Sequence, residues 1–374
     1  MESTSPHRRY VGRSCLVSVG VLAAATLSAC TSGATSSGAA SSTGQAASSA
    51  GVSSAAGTGA AVSSVAVSAA PAASGKIAIF VVGGKSDDPF WSKVKRGVDD
   101  AAKVVQAGGG TVTWLGPQNY DNLGPDAAKL LLSAKSQGAT SVVGPDWVPD
   151  AQNEAFKTLS GAGVPVFLFN AGGVAEAKNV GALTYVGNEE EPAGKAGGEF
   201  FGKNGAKNVL CVNTLPGATN TEARCKGIAE GIAGSGGKSS QLPLPSSNFG
   251  NPTAVTQAIK AALLKDSSID GVVTISTLDA DSASAAIDQA GSAGKVKLGT
   301  FDMDDNQLAR IKAGKELFCI DQQPYLQGYL SVSQAYAYNA YGLRISQDSI
   351  LTGPAIVNKD NVDAAIAGVK AGVR

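Results

Sequence analysis

Histidine is almost missing from this sequence. The only one among the 374 residues is His7, which lies within the first ten residues. Catalytic Ser-His-Asp and Cys-His arrangements need a histidine to carry the proton, and many zinc sites use histidine ligands. The chain beyond residue 7 therefore excludes these chemistries. We expect no metal, no cofactor and no enzymatic activity.

The sequence also has no net charge. The sequence has 30 Lys+Arg and 30 Asp+Glu, so its formal net charge is zero. No basic patch stands out, and such a patch is the electrostatic footprint of a nucleic-acid-binding protein. The composition therefore argues against a nucleic-acid partner. With 43% hydrophobic residues, a chain of this length is long enough for one large domain or two of ordinary size.

Long apolar runs are absent except near the amino terminus. Arg8, Arg9 and Arg13 precede the run CLVSVGVLAAATL, which is too short to span a bilayer and suits a secretory leader. This leader ends in LSAC, which resembles a bacterial lipoprotein box. We expect residues 1–29 to be a lipoprotein signal peptide and Cys30 to be the lipidated first residue of the mature chain. The alternative is an ordinary cleaved signal peptide that happens to end near a cysteine.

The stretch 30–75 is nearly all Ala, Ser, Gly, Thr and Val, and it carries no charge. Because it has no periodic apolar face, it is expected to be a flexible linker. A tether of about 45 residues has a root-mean-square reach of roughly 35–40 Å. That reach suits a folded body that is held near a membrane but turns freely.

Cysteine is scarce, with 5 in the sequence. Beyond the leader, Cys211 lies in a strand-like run and Cys225 in the next helix-like run. An oxidising compartment would permit a disulfide between these two, with Cys319 as a buried free thiol. The alternative is that all three are small apolar core residues.

Beyond Gly75, short apolar strands alternate with helical stretches. The runs KIAIFVV (76–82), SVVG (141–144) and NVLCVN (208–213) are examples of the strands. Continuous apolar strands separated by helices indicate the buried parallel strands of an α/β fold. There are more strands than one small sheet accommodates, so we predict two doubly wound, Rossmann-like lobes.

Polar and aromatic side chains follow these strands, where ligands of such sheets bind. Strand ends also carry polar residues for trivial reasons, so the set is better evidence than any member. Asp88, for example, would equally serve as a helix N-cap ahead of Pro89. The candidate ligand-binding residues are Asp88, Phe90, Trp91, Asp146, Trp147, Asn170, Arg224, Asp279, Asp302 and Gln322.

Several segments, in this order, resemble the periplasmic sugar-binding proteins of the ribose/galactose type. They are DPFW, VPVFLFNAGG, PGATNTEARCKGI, GTFDMDDNQ and IDQQPYLQGY, and the resemblance covers nearly all of residues 76–374. These proteins are the receptors of bacterial ABC importers. The resemblance implies a type I periplasmic binding protein, with two lobes joined by a three-strand hinge. It also implies that Arg224, Asp302 and Gln322 bind the ligand.

The resemblance divides the chain into an N-terminal lobe, 76–187 plus 323–350, and a C-terminal lobe, 188–322 plus 351–374. It implies a monomer outside the cytoplasm that captures a small neutral sugar or polyol and delivers it to a membrane permease. Flat aromatics would cover the apolar faces of a sugar, while carboxylates, amides and a guanidinium group would bind its hydroxyls. The predicted lipid anchor would tie the receptor to the outer face of the membrane.

The chain departs from the family after its fourth strand. There the family often has Asp then Arg, whereas this chain has Asn170 and Ala171. The missing guanidinium removes a bidentate clamp on sugar hydroxyls, so simple ribose or galactose is not predicted. Two alternatives stay open: a nucleoside or signalling furanose as the ligand, and a glycoside-processing enzyme in which Asp88 and Asp302 form the carboxylate pair.

Overall fold

The computed structural model describes residues 75–374. The predicted signal peptide, the lipidation site Cys30 and the linker up to residue 74 lie outside the described residues. Within 75–374, no helix combines the length and apolar character needed to cross a membrane.

Strands and helices alternate along the described chain. The strands are β1 (Ala78–Val82), β2 (Thr111–Leu115), β3 (Ser141–Gly144), β4 (Val166–Phe169), β5 (Tyr185–Gly187), β6 (Asn208–Asn213), β7 (Lys238–Pro243), β8 (Gly271–Thr274), β9 (Lys297–Phe301), β10 (Phe318–Asp321), β11 (Ser349–Leu351) and β12 (Ala355–Val357). The helices are α1 (Pro89–Ala107), α2 (Leu123–Ser136), α3 (Pro149–Gly161), α4 (Gly173–Asn179), α5 (Glu190–Lys203), α6 (Thr219–Ala233), α7 (Pro252–Lys265), α8 (Thr277–Gln289), α9 (Asp305–Lys312), α10 (Pro324–Tyr341) and α11 (Val362–Lys370).

Two six-stranded sheets organise these elements. The first has the order β11-β5-β4-β3-β1-β2 and is parallel throughout. The second has the order β12-β10-β9-β8-β6-β7, and only β12 runs antiparallel in it. Central strands such as β3 and β6 are buried along their whole length, because helices cover both faces of each sheet. The predicted α/β fold class with two doubly wound lobes is confirmed.

Glycines allow two helix pairs to pack at very short distance. A Cβ at Gly97 in α1 would collide with the carbonyl oxygen of Tyr325 in α10. In the second lobe, a Cβ at Gly194 in α5 would collide with the carbonyl oxygen of Arg224 in α6, and one at Gly227 with that of Glu191. The α5–α6 contact therefore fixes the start of α5 against the middle of α6, where Arg224 lies.

The chain passes between the two sheets three times, at residues 188–189, 322–323 and 352–354. Hydrogen bonds link these segments. The Gln323 amide donates to the Thr352 carbonyl at 2.7 Å, and the Thr352 backbone amide donates to the Gly187 carbonyl at 3.0 Å. The crossings are thus close neighbours at one side of the molecule.

A disulfide joins Cys211 in β6 to Cys225 in α6, 14 residues further along the chain. It ties a central strand to the helix that packs on it. Cys319 in β10 is a buried free thiol.

Candidate functional site

A small cavity of about 60 Å³ lies between the carboxyl ends of the strands of both sheets. One water-sized sphere needs roughly 10–15 Å³ by this measure, so the cavity suits a single small molecule rather than an oligosaccharide. Eight of the predicted ligand-binding residues line it: Asp88, Phe90, Trp91, Trp147, Asn170, Arg224, Asp302 and Gln322.

The first sheet contributes an aromatic wall to the cavity. Trp91 is only 6% exposed, and its ring packs edge-on against Trp147 and Phe169, with centroid distances of 5.5 and 5.8 Å. Phe90 is half-buried and meets Trp91 edge-on at 5.2 Å. Trp91 therefore belongs both to the hydrophobic core and to the cavity, while Phe90 is the more accessible ring.

Asp88 holds the start of α1 as well as lining the cavity. Its Oδ1 accepts hydrogen bonds from the backbone amides of Phe90 and Trp91, at 2.9 and 3.1 Å. Tyr120 donates its hydroxyl to Asp88 Oδ2 at 3.5 Å. Burial raises the pKa of Asp88, and the two amide hydrogen bonds oppose that rise. Asp88 therefore both caps α1 and lines the cavity.

Arg224, in α6, is anchored on the opposite side. Its Nε and Nη2 donate to the two carboxylate oxygens of Glu190 at 2.8 and 2.9 Å, and its Nη1 donates to the Ile275 carbonyl at 3.1 Å. The guanidinium carbon lies 4.4 Å from the centroid of the Phe301 ring. Burial alone lowers the pKa of Arg224, but the charge and hydrogen bonds of Glu190 outweigh it and raise the pKa overall.

Asp302 and Gln322 form a second polar pair. The Gln322 amide donates to Asp302 Oδ1 at 2.7 Å. Burial raises the pKa of Asp302 to about 7, although Arg224 and Gln322 both oppose this. Gln322 Oε1 has no hydrogen-bond partner among the described residues, and neither has Oδ1 of Asn220, which also lines the cavity. The wall therefore offers free acceptors beside a guanidinium donor.

Two lining residues have left-handed backbone conformations. Asn170 has φ of 63° and Asp302 has φ of 66°. A non-glycine residue in this region costs of order 1–3 kcal/mol, and such strain clusters at functional sites. The Asn170 amide also donates to Gln327 Oε1 at 3.3 Å, which links the cavity to the start of α10. Both strained positions directly follow a central strand.

Two predicted residues do not line the cavity. Asp279 is buried in α8, where its carboxylate accepts the Thr214 hydroxyl at 2.6 Å, and burial raises its pKa to about 6. Asp146 is fully buried beside Trp147, with both carboxylate oxygens unpartnered among the described residues. Burial, with a smaller contribution from Glu176, raises its pKa to about 7. Each stands behind the cavity wall.

Four important residues were not predicted from the sequence. Glu190 holds Arg224, and Asn220 offers a free acceptor to the cavity. Tyr120 and Phe249 line the cavity and pack edge-on across the cleft at 5.2 Å. Tyr120 follows β2 and so shared the strand-end signal used for the others. Glu190 is one of three consecutive glutamates, and Phe249 lies in an irregular loop, so no sequence pattern separated them from their neighbours.

Direct hydrogen bonds join the two sides of the cleft. The Thr219 amide donates to the Trp147 carbonyl at 2.8 Å, and its hydroxyl donates to the Asp146 carbonyl at 3.1 Å. Lys93 Nζ donates to the Met303 carbonyl at 2.8 Å. The described structure is thus a closed form. Residues 75–374 contain no cluster of histidine, cysteine and acidic side chains that could hold a metal ion.

Fold and cavity together define a class of protein: two α/β lobes that enclose one small ligand between the carboxyl ends of their strands. A family model described as "Periplasmic binding protein domain" matches residues 77–342. Because this match spans well over half of the chain, the protein belongs to the periplasmic binding protein family. The family resemblance recognised in the sequence is confirmed, and this membership implies a location outside the cytoplasm.

Similar proteins of known structure or function agree with this membership. A carbohydrate transporter from Acidothermus cellulolyticus 11B, solved in complex with myo-inositol, is 31% identical with a TM-score of 0.72, covering 80% of this chain and 100% of that one. The xylose/arabinose-binding protein XylF of Sulfolobus acidocaldarius is 24% identical over 294 residues, which are 74% of this chain and 69% of that protein. A solute-binding protein from Burkholderia graminis C4D1M, in complex with D-arabinose, shares the fold at 21% identity and a TM-score of 0.67, covering 78% and 98% of the two chains.

Proposed function

We propose that this protein is the solute receptor of an ABC importer, and that it captures a small neutral sugar or polyol in the cavity and delivers it to the permease. The observation that carries this proposal is the cavity itself, with aromatic rings and the Asp88 carboxylate on the side of the first sheet, and a guanidinium, the Asp302 carboxylate and free amide oxygens on the other. The names and ligands of the similar proteins, which include pentoses and myo-inositol, support the same class of ligand.

The chemistry of the lining matches a polyhydroxylated ring. Such a ring has apolar C–H faces, and covering them with Phe90 or Trp147 removes apolar area from water at about 25 cal/mol per Å². Its hydroxyl groups both donate and accept. Asp88 and Asp302 accept from them, Arg224 donates, and Gln322 can do both, with the charge-assisted bonds being the stronger kind.

We assign ligand contact to the eight lining residues named above, and a supporting role to Asp146 and Asp279. The lobes would comprise 76–187 plus 323–350 and 188–322 plus 351–374. The three crossing segments would act as the hinge through which the cleft opens and closes. A neutral ligand is favoured, because Arg224 is balanced by carboxylates.

No chemistry on the ligand is part of this proposal. The rival is a glycoside-processing enzyme that uses Asp88 and Asp302 as its carboxylate pair. The N-cap bonds of Asp88 and the hydrogen bond between Asp302 and Gln322 give both carboxylates a holding role instead. Incubation with aryl glycosides separates the two readings, because turnover that is lost in Asp88→Asn would establish the enzyme.

We further propose that Cys30 is lipidated and that residues 31–75 tether the receptor, as a monomer, to the outer face of the membrane. The LSAC sequence and the uncharged composition of the linker support this. Expression in a bacterial host should place the wild type in the membrane fraction and Cys30→Ser in the soluble fraction. An unchanged distribution would contradict the anchor without affecting the ligand site.

A thermal-shift panel tests the receptor function. Myo-inositol, D-xylose, L-arabinose, D-glucose, D-galactose and a nucleoside would each be added to the purified protein. A true ligand at a hundred times its dissociation constant adds about 2.7 kcal/mol to the free energy of unfolding. The melting temperature should therefore rise by several degrees with at least one sugar or polyol. A shift with the nucleoside alone, or with no member of the panel, would overturn the proposal.

A further inference from the structure

Glu190 occupies the guanidinium fork of Arg224 from behind the cavity. Both carboxylate oxygens are used in this pair, and the two side chains are only 6% and 4% exposed. Glu190 itself does not line the cavity, whereas Arg224 does. The carboxylate therefore acts on a ligand only through the arginine.

The pair leaves a defined number of donors for the cavity. A guanidinium group has five N–H donors. Two of them point to Glu190 and a third to the Ile275 carbonyl, so one remains on Nη1 and one on Nη2. The planar Glu190 pair and the Phe301 ring fix the plane of the group. Arg224 thus presents two donors in a set orientation.

The backbone keeps this arrangement in place. Glu190 is the first residue of α5 and directly follows the crossing segment 188–189. The α5–α6 glycine contact brings Gly194 against the Arg224 carbonyl. The distance between Glu190 and Arg224 is therefore set by helix packing that involves neither side chain.

Charge gives the pair a second consequence. The cavity lining has one cation, Arg224, and two carboxylates, Asp88 and Asp302. With Glu190 included, three carboxylates face this one cation, and Glu190 lies directly on the guanidinium, so the positive charge that an anion would pair with is already compensated. Specificity often depends on such a repulsive element as well as on the attractive contacts.

We infer that Glu190 is a positioning and specificity-determining residue: it orients Arg224 for hydroxyl groups and makes the cavity reject acidic sugars. This inference rests on the proposed function, because it names the class of ligand that the same cavity excludes.

The test compares Glu190→Gln with wild type by calorimetric titration. The neutral probes are myo-inositol, D-xylose and L-arabinose. The acidic probes are D-glucuronate and D-galacturonate, which carry a carboxylate on the ring carbon that is unsubstituted in the two pentoses. We expect wild type to bind a neutral probe and neither uronate. In Glu190→Gln, the affinity for uronate relative to the neutral probe should rise by about tenfold or more, equivalent to about 1.4 kcal/mol.

Glu191→Gln is the matched control. Glu191 is the next residue and pairs with Lys226 at 2.7 Å on the surface, so it loses the same chemical group outside the cavity. Its uronate-to-neutral ratio should equal that of wild type. A Glu190→Gln variant with an unchanged ratio, or a wild type that already binds uronate, overturns the inference.

Glu190→Asp serves if Glu190→Gln does not fold. It keeps the charge but withdraws the carboxylate by one methylene, so uronates should stay excluded while the affinity for the neutral probe falls by about tenfold. Unchanged neutral affinity in this variant would refute the positioning role. If none of these three probes binds wild type, the sugar of the thermal-shift panel that does bind replaces them as the neutral probe. If no sugar or polyol of that panel binds, the proposed function fails and this inference fails with it. When wild type binds its neutral probe, a changed ratio in the variant is due to Glu190.

Discussion

The two walls of the cavity are built in different ways. The wall from the first sheet is aromatic, and its central ring, Trp91, is held by the hydrophobic core, in contact with Trp114 as well as Trp147. The wall from the second sheet is polar, and its central group, Arg224, is held by the ion pair with Glu190. One wall is positioned by packing and the other by charge.

This difference predicts how the stability of the protein responds to substitutions in each wall. A packed aromatic cluster loses stability in proportion to the ring removed, because neighbouring side chains cannot fill the space. A buried ion pair instead leaves an uncompensated charge when one partner is removed. Some substitutions in the aromatic wall should therefore weaken ligand binding with little loss of stability, whereas a substitution in the ion pair should reduce both.

The largest effect is expected for Arg224→Ala. It removes the charged donors from the cavity and leaves Glu190 buried without a partner, which costs about 3–5 kcal/mol of stability. The dissociation constant for the best neutral ligand should rise by about 100-fold or more, because charged hydrogen bonds are worth roughly 1.5–3 kcal/mol each. Urea unfolding and calorimetric titration measure the two quantities.

Lys226→Ala is the control for this prediction. Lys226 lies two residues further along α6 and pairs with Glu191 at 2.7 Å, but its side chain is 63% exposed. Exposed pairs contribute little, so neither stability nor affinity should change measurably. Equal losses in Arg224→Ala and Lys226→Ala would show that the buried pair has no special role.

The next effect concerns the neighbours Phe90 and Trp91. Trp91→Ala removes a ring from the core and should cost about 3–5 kcal/mol of stability. Phe90 is half-buried, so Phe90→Ala should cost less than about 2 kcal/mol. It should nevertheless weaken ligand binding by about 10- to 100-fold, because it uncovers one face of the ligand.

Denaturant unfolding and ligand titration on both variants check this contrast. Similar stability losses in the two variants would mean that Phe90 is a core residue like Trp91. Full ligand affinity in Phe90→Ala would remove it from the proposed binding set.

The periodic parts of the fold were predictable, and the non-periodic parts were not. Buried apolar runs located β1, β3 and β6, because a strand covered on both faces has a continuous hydrophobic sequence. The edge strand β7 has the polar sequence KSSQLP, and four of its six residues are exposed, so it has no continuous hydrophobic stretch. Strands as short as β5 also lack a pattern, since three residues show no period.

The same distinction applies to the residues of the site: those with a regular sequence signal were predicted, and those without one were not. Residues that follow a strand, such as Phe90, Asn170 and Asp302, were found because parallel strands deliver their carboxyl ends to one edge. Glu190 was missed because its role comes from the packing of α5 on α6, and three adjacent glutamates look alike in sequence. Asp146 also follows a strand, yet its side chain turns behind Trp147, and alternation along so short a loop does not predict direction.

The smallest effect on ligand binding is expected for the buried carboxylates behind the two walls, Asp146 and Asp279, which do not line the cavity but do affect stability. The folded protein raises the pKa of Asp146 from about 3.8 to about 7, mainly by burial, so the folded state holds this proton more tightly than the unfolded state does. This carboxylate therefore lowers stability progressively as the pH rises from about 4 to about 7, and no further above that. Asp146→Asn removes the penalty. Its gain over wild type should grow by about 2–3 kcal/mol between pH 5 and pH 8, at 1.36 kcal/mol per pKa unit. Urea unfolding at both pH values measures this gain.

Asp279→Asn should gain less stability between the two pH values, because Asp279 accepts the Thr214 hydroxyl and its pKa rises only to about 6. A gain that is equal at the two pH values would mean that Asp146 is ionised and compensated in the folded protein.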